Sequence, residues 1–140
     1  MAVSFANADI TFTLPGKAAL KKFITTSFKK EAKKKLSVSY IFCSDDYLLR
    51  INQDFLKHDY YTDIITFPLV ETDQKVEAEI YISIDRIRDN ATKLKVPFDQ
   101  ELCRVLFHGI LHLIGYKDKT AAQKELMRHV EDKWLKAYNH

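Results

Sequence analysis

Cysteine, glycine and proline are scarce in this chain, and each scarcity argues against a class of protein. The two cysteines, Cys43 and Cys103, lie far apart in apolar surroundings and form no CxxC pair, so a disulfide framework is not expected. We interpret both as buried small apolar residues. Three glycines and three prolines leave no Pro/Gly-rich linker, and no repeat is evident, so residues 1–140 are predicted to form a single domain.

Long apolar runs are also missing. No run approaches the ~20 residues that are needed to cross a bilayer. The first residues, MAVSFANADITFTLP, lack the basic start and continuous apolar segment of a signal peptide. The sequence therefore predicts a cytoplasmic protein without a membrane partner.

Positive charge is concentrated near the N-terminus. Residues 1–40 hold eight lysines against Asp9 and Glu31, whereas residues 41–140 hold 14 basic against 17 acidic residues. A lysine-rich helix beside a polyanionic partner and a solvated helix face both account for this asymmetry. Charge alone does not choose between them.

Hydrophobic periodicity and capping residues predict four strands and five helices. The predicted strands cover 8–14 (ADITFTL), 36–43, 64–69 with Pro68 marking an end or an edge, and 76–83. The predicted helices run from Pro15 to about 34, from the N-cap Ser44 to 56, over 84–94, from Pro97 to Gly115, and from Thr120 onward. We expect the first helix to bury Ala18, Ala19, Phe23, Ile24 and Phe28, and the last to bury Leu126, Val130, Trp134 and Leu135. This order indicates an α+β fold, in which about five helices pack on a small four-stranded mixed sheet.

The segment FHGILHLIGYKDKT, residues 107–120, combines two histidines with an apolar helix. His108 and His112 are four residues apart and project from one helical face, a spacing that suits one metal ion. Gly115 ends the helix, and Asp118 follows on the returning chain. Two imidazoles and a carboxylate suit one zinc ion and leave an open position for water, which is typical of a catalytic site on a central helix. The alternative is a hydrogen-bonded pair of histidines in the core.

Gly109 occupies the position of the glutamate in the HExxH helix of zinc proteases, where that residue is the general base. Peptide hydrolysis by that route is therefore disfavoured. A glycine inside a helix costs ~1 kcal/mol relative to alanine. Its presence indicates either close approach of another backbone or space beside the histidines. The other histidines, His58, His129 and His140, are interpreted as surface residues.

Four segments resemble one known family. HGILHLIGYKD resembles the HGxLHLxGYDH signature of the bacterial YbeY-type endoribonucleases, and INQDFLKHDYYTDIITFP, AEIYIS and ELMRHVE resemble other segments of that family. The resemblance implies a zinc-dependent, single-strand-specific endoribonuclease that acts in ribosomal RNA maturation, at the 3′ end of 16S ribosomal RNA, and in ribosome quality control. It also implies the ribosome or its small subunit as a partner and a basic groove leading to the metal.

The chain departs from the family pattern at two positions. The third histidine of the signature is replaced by Asp118, which makes His108, His112 and Asp118 the expected metal ligands. The family's arginine falls on Leu56, and Lys57 beside it is the candidate RNA contact, although an ordinary exposed lysine is the alternative. Tyr60 and Tyr61 follow in the same loop, where they either stack on unpaired bases or cover the edge of the core.

Two other functions stay open at this point. One is a metallohydrolase that acts on another substrate, such as a peptidase. The other is a non-catalytic, ribosome-associated module in which the metal only holds the fold. No general base is evident, since Glu79 on the fourth predicted strand is interpreted as structural.

Overall fold

The computed structural model describes residues 3–139, which form four strands and five helices. Their bounds are β1 Val3–Asn7, α1 Lys17–Ala32, β2 Lys35–Cys43, α2 Asp45–Leu56, β3 Ile64–Glu71, β4 Lys75–Ser83, α3 Ile84–Leu94, α4 Phe98–Ile114 and α5 Ala121–Tyr138. The predicted α+β class is confirmed. No helix in this part of the chain is both long and apolar enough to cross a membrane.

The sheet is mixed and has the strand order β1-β2-β4-β3. β1, β2 and β4 run parallel, whereas β3 pairs antiparallel with β4 and forms one edge. Pro68 lies in β3 next to an irregularity in the register between Pro68 and Val70. An edge strand tolerates proline because its outer N–H groups need no partner in the sheet. Pro68 therefore marks the edge, and the strand continues beyond it to Glu71.

The first predicted strand is wrong. Residues 8–14 contain no strand, and β1 is the preceding segment Val3–Asn7. The alternating pattern in 8–14 arises because Leu14 is buried and two other apolar side chains in the segment pack partly on the core. Asp9 meanwhile accepts hydrogen bonds from Ser44 at the start of α2. The segment is thus held by its side chains and by a helix N-terminus.

Two helices bury different residues from those predicted. α1 begins at Lys17, after a turn in which Gly16 has a φ of 69°, and it buries Leu20, Ile24 and Phe28. Ala18 and Ala19 are exposed. In α5, Leu126 is 52% exposed, and Met127 takes its place in the core. The later predicted residues of both helices are buried, namely Ile24 and Phe28 of α1 and Val130, Trp134 and Leu135 of α5. The errors are therefore confined to the first two turns, near the helix starts that sequence places least well.

The main core lies between one face of the sheet and helices α1 and α4. Val38, Tyr40 and Phe42 of β2 are buried there. On the opposite face α2 covers a smaller cluster that includes Cys43. Burial raises the pKa of the Cys43 thiol to about 12 and that of the half-buried Cys103 to about 11, so both are unreactive apolar side chains at neutral pH.

α4 lies close against the sheet at Gly109. A Cβ at this position would lie 2.9 Å from Ile80 Cδ1 and 3.0 Å from Ile64 Cδ1. One turn earlier, the buried Tyr40 hydroxyl donates a hydrogen bond to the Leu106 carbonyl over 2.8 Å. The glycine therefore allows close approach to sheet side chains, which is neither of the two alternatives that the sequence indicated, another backbone or space beside the histidines. This contact sets the rotation of α4 against the sheet and therefore the direction of the face that carries the histidines.

Gly109→Glu, which rebuilds the HExxH pattern, is expected to destabilise the protein without creating a protease. The new side chain would overlap Ile80 and Ile64 and would bury a carboxyl group among apolar atoms. Overpacking of this kind costs about 1–3 kcal/mol in unfolding free energy. Gly109→Ala is the matched control, because one methyl group meets mainly the flexible ends of Ile80 and Ile64 and adds no carboxyl group. Thermal unfolding and casein cleavage with and without chelator check this, and chelator-sensitive cleavage by the glutamate variant would contradict it.

Candidate metal centre

The structure brings His108, His112 and Asp118 together, as the sequence predicts. The two Nε2 atoms lie 3.0 Å apart, and Asp118 Oδ2 lies 3.3 Å from His108 Nε2 and 3.5 Å from His112 Nε2. One ligand atom from each residue lies within 4.8 Å of the others, so the group could hold a metal ion. All three residues are half-buried. We call this group the triad.

The end of α4 turns the chain back toward the histidines. Gly115 has a φ of 129°, a region that favours glycine, and its N–H donates to the carbonyls of Leu111 and His112. Tyr116 N–H also donates to the Leu111 carbonyl. A few residues later, the Thr120 capping box starts α5. Asp118 is therefore held on a short connection between two well-formed helix ends.

Each histidine of the triad is oriented through its other ring nitrogen. His108 Nδ1 lies 2.6 Å from Glu131 Oε2, and His112 Nδ1 lies 3.0 Å from the Tyr116 carbonyl oxygen. Because both partners are acceptors, Nδ1 carries the proton in the neutral ring and Nε2 keeps its lone pair. Both lone pairs point to the side of Asp118. The donor set thus fits a metal ion in tautomer as well as in spacing.

Glu131 is itself held in place by a hydrogen bond from Arg104. It is 4% exposed, and Arg104 Nη1 donates to its Oε1 over 3.1 Å. The same guanidinium donates to Asp132 Oδ1 over 2.7 Å. The sequence-based assignment missed this role. The available signal was that Glu131 falls on the inward face of α5, with Met127 and Trp134, where a carboxylate needs a partner.

The electrostatics at His108 reflect these carboxylates. Burial lowers the pKa of His108, but the hydrogen bond and charge of Glu131, followed by Asp118 and Asp63, outweigh it and raise the pKa above its ordinary value. Without a metal, the protonated ring therefore stabilises the fold below the unfolded pKa, and this contribution is lost as the pH rises through the folded pKa. A metal ion competes with the same proton, so metal binding strengthens as the pH rises.

Two cavities meet at the triad. The first has a volume of about 500 Å³, and we call it the loop cavity because the loop between α2 and β3 forms one wall. Its lining includes Asn52, Leu56, His58, Tyr60, Thr62, Asp63, Ile64, Pro68, Leu113 and all three triad residues. The second has a volume of about 310 Å³, and we call it the α5 cavity because α5 forms one wall. Its charged lining consists of three cations, Arg104, Lys124 and Arg128, and four carboxylates, Asp63, Glu101, Asp118 and Glu131, together with His108.

Asp63 lines both cavities and was also missed from the sequence. Burial raises its pKa, and the charge of His108 opposes that rise. Asn90 Nδ2 lies 3.3 Å from Asp63 Oδ2. Asp63 is thus a carboxylate held beside the triad but outside it, and nothing in the local pattern of TDIITFP distinguishes it from an ordinary polar residue before a strand.

The remaining candidates lie at different distances from the triad. Lys57 ends α2 with a φ of 59°, its Nζ lies 3.4 Å from the Asp54 carbonyl oxygen, and it lines neither cavity. Its role as an RNA contact stays a prediction. Glu79 accepts a hydrogen bond from Tyr81 over 3.4 Å on the strand beneath α2. His58 and His129 are exposed, as predicted, although His58 lines the loop cavity; His140 lies outside the described residues.

A separate cavity of about 410 Å³ lies beside the end of α1. It is lined by Lys29, Lys34 and Lys35 and by Lys75 at the start of β4. It lies at the start of β4, whereas the loop cavity lies along β3 opposite the second half of β4. Lys33 and Lys35 are exposed, and Lys34 is half-buried with its Nζ 3.8 Å from Glu71. The basic segment is therefore at the other end of the sheet from the triad.

Comparison with known proteins adds an independent result. The family model described as Endoribonuclease YbeY matches residues 4–139. The chain is 51% identical over 130 residues to Endoribonuclease YbeY of Cytophaga hutchinsonii, covering 93% of this chain and 91% of that protein. It is 44% identical over 137 residues to Endoribonuclease YbeY of Flavobacterium psychrophilum, covering 98% and 96%.

The fold is also similar to a solved structure. The solution structure of TM1509 from Thermotoga maritima aligns with a TM-score of 0.59 and 25% sequence identity. The alignment covers 97% of this chain and 88% of that one. The resemblance of the histidine segment thus extends to nearly the whole length of the chain and to its architecture.

Proposed function

The chain belongs to the Endoribonuclease YbeY family, and we propose that it is a metal-dependent endoribonuclease that cleaves single-stranded RNA. The observation that carries this proposal is the triad of His108, His112 and Asp118 at the junction of two cavities. We treat residues 1–140 as one endoribonuclease domain. A catalytic metal site needs a side open to substrate, and the two cavities supply it.

The proposed metal is a single zinc ion. Two imidazole nitrogens and one carboxylate oxygen are ligands that zinc accepts, and three protein ligands are the usual number at a catalytic zinc site. When bound, the ion supplies Lewis acidity toward a phosphoryl oxygen and toward water. The chain's own part is to hold the imidazoles in the correct tautomer, which Glu131 does for His108 and the Tyr116 carbonyl does for His112.

Other side chains would position the RNA. Lys124 and Arg128 are the exposed cations that line the α5 cavity, and they are suited to contact phosphates on one side of the triad. Asp63 lies where both cavities meet and is placed to accept a hydrogen bond from a hydroxyl group of the RNA. Lys57, on the rim of the loop, is a further proposed RNA contact at longer range.

The proposed biological substrate is ribosomal RNA. Membership of the family supports a role in ribosomal RNA maturation, and the finer proposal is cleavage toward the 3′ end of 16S ribosomal RNA and ribosome quality control. The ribosome or its small subunit is the proposed partner, and the cytoplasm is the proposed location.

Three labelled substrates test the function: single-stranded RNA, duplex RNA and casein, each with and without chelator. We expect chelator-sensitive cleavage of single-stranded RNA only, and no cleavage by the control variant His112→Ala. Casein cleavage would favour a peptidase. Metal binding without any cleavage would favour a non-catalytic module, and either result would overturn the proposal.

Charge reversal of the two exposed cations at the α5 cavity is expected to weaken RNA binding. In Lys124→Glu/Arg128→Glu, two cations beside the triad are replaced by anions, so the salt dependence of binding should flatten by about 0.7 in slope for each lost phosphate contact on a single strand. Lys33→Glu/Lys35→Glu is the matched control, because it reverses the same charge at the far end of the sheet. Binding titrations over a range of salt check this, and an equal loss in both variants would contradict it.

A further inference from the structure

Two exposed aromatic rings form a stacked pair in the loop that walls the loop cavity. The ring centroids of His58 and Tyr60 are 5.1 Å apart and the rings are inclined by 19°. Tyr60 Oη lies 3.0 Å from His58 Nδ1, so an exposed hydrogen bond also joins the two side chains. Tyr60 is nevertheless 56% exposed, so much of this residue is open to solvent.

The loop that carries this pair is anchored from within the protein. Asn52 of α2 is only 2% exposed, and its Nδ2 donates to the Tyr60 carbonyl oxygen over 2.8 Å. The Asn52 carbonyl accepts a hydrogen bond from His58 N–H over 3.1 Å. Gln53 Nε2 donates to Asp59 over 2.6 Å in the same loop. An exposed aromatic pair on an anchored backbone binds a planar ligand with little loss of loop entropy.

The position of the pair relates it to the triad. His58 and Tyr60 line the same cavity as His108, His112 and Asp118, and its volume of about 500 Å³ is within the ~300–1,000 Å³ typical of ligand cavities. Apolar side chains of Leu56, Pro68 and Leu113 line the same cavity. A flat apolar ligand group attached to a phosphate at the triad would therefore share this cavity with the aromatic pair.

The neighbouring tyrosine, Tyr61, has different contacts, so only one of the two tyrosines belongs to the cavity. Tyr61 does not line the cavity. Its hydroxyl donates to Asp46 over 3.3 Å, and the guanidinium of Arg86 lies 5.1 Å from the centre of its ring. Of two adjacent exposed tyrosines, one packs against α2 and α3 and the other faces the cavity beside the triad.

We propose that His58 and Tyr60 form the stacking platform for one unpaired nucleobase of the RNA, next to the phosphate held at the triad. The platform rests on the proposed endoribonuclease function and adds a base-binding subsite to it. Aromatic side chains stack on any base, so the subsite selects for an unstacked base and against a duplex without reading sequence. Its loss is expected to weaken binding about 5- to 150-fold, the range that corresponds to one base stacked on an aromatic side chain.

The test uses single-stranded RNA in which 2-aminopurine is placed at successive positions. Stacking on an aromatic ring quenches this fluorophore. In the unaltered protein we expect quenching at one position beside the cleavage site. Tyr60→Leu should abolish the quenching and raise KM about 5- to 150-fold with little change in kcat, because the subsite binds RNA away from the reacting atoms. Tyr60→Phe should keep both properties, and Tyr61→Leu is the matched control in the same loop.

The possible results separate the platform from the function on which it rests. Unaltered protein that neither binds nor cleaves the RNA overturns the proposed function, and the platform with it. Unaltered protein that cleaves RNA, together with unchanged quenching and KM in Tyr60→Leu, overturns the platform alone. Equal losses in Tyr60→Leu and Tyr61→Leu also overturn it, since a general disturbance of the loop then explains the effect. Thermal unfolding and metal content of each variant identify such a disturbance.

Discussion

Asp118→Ala is expected to lose the bound metal ion and RNA cleavage together. Asp118 is the only carboxylate in the group whose ligand atoms lie within 4.8 Å of one another in the described part of the chain, and its Oδ2 lies 3.3 and 3.5 Å from the two Nε2 atoms. Removing it leaves two ligands on one helix, which is fewer than a catalytic zinc site uses. Zinc measured by elemental analysis after dialysis against a mild chelator should fall well below one equivalent, with cleavage lost in parallel.

Asp118→His is the informative companion variant. A histidine at this position restores the family signature, and zinc–nitrogen and zinc–oxygen bonds are similar in length, about 2.0–2.2 Å, so the metal should be retained. A neutral ligand leaves the centre one unit more positive than aspartate does. The pH profile of cleavage should therefore shift to lower pH in Asp118→His than in the unaltered protein.

Lys117→Ala controls for disturbance of the turn, since Lys117 is the exposed neighbour of Asp118. It should keep both metal and activity. If Asp118→Ala retains a full equivalent of zinc with unchanged affinity, Asp118 is not a ligand, and the role proposed for the connection between α4 and α5 is wrong.

The triad was predictable because its geometry is local. His108 and His112 share a face through helical periodicity alone, and Gly115 and Thr120 mark the ends of two helices by their backbone preferences. Asp118 lies between these two helix ends, on a connection too short to take it far from the two histidines. For these three residues, closeness in the sequence therefore predicted closeness in the folded structure.

The supporting residues were not predictable in the same way. Glu131 reaches His108 across 23 positions of sequence, and Asp63 reaches the triad because an edge strand passes under α4. Both placements depend on how helices and strands pack. The strand prediction for residues 8–14 was wrong for a related reason. The alternation in this segment arises from packing on the core, and β1 is the segment that pairs with β2 in the sheet.

Glu131→Ala is expected to weaken metal binding and to destabilise the protein. Glu131 is a positioning residue: it orients His108 through a 2.6 Å contact and does not touch the substrate. Loss of such a partner typically lowers metal affinity 10- to 100-fold. The half-buried guanidinium of Arg104 would keep only Asp132, and a largely desolvated group left short of a partner costs about 1–3 kcal/mol of unfolding free energy.

Two variants distinguish positioning from a general loss of stability. Glu131→Gln keeps an oxygen that can accept from His108 Nδ1, so it should recover much of the lost metal affinity. Asp132, the other partner of Arg104, is exposed. Asp132→Asn weakens this ion pair and should leave metal affinity unchanged. Competition with a chromogenic chelator, at a temperature where every variant is folded, measures the affinities.

The titration of His108 in the metal-free protein gives a readout that stability cannot imitate. Glu131 is the largest of the influences that raise the pKa of His108 against the effect of burial. Removing its charge should therefore lower that pKa in Glu131→Ala and Glu131→Gln, and should leave it unmoved in Asp132→Asn. Nuclear magnetic resonance of the imidazole over a pH series measures the change. A metal affinity that falls equally in all three variants, with no change in the pKa of His108, would show that Glu131 acts only through the packing of α5.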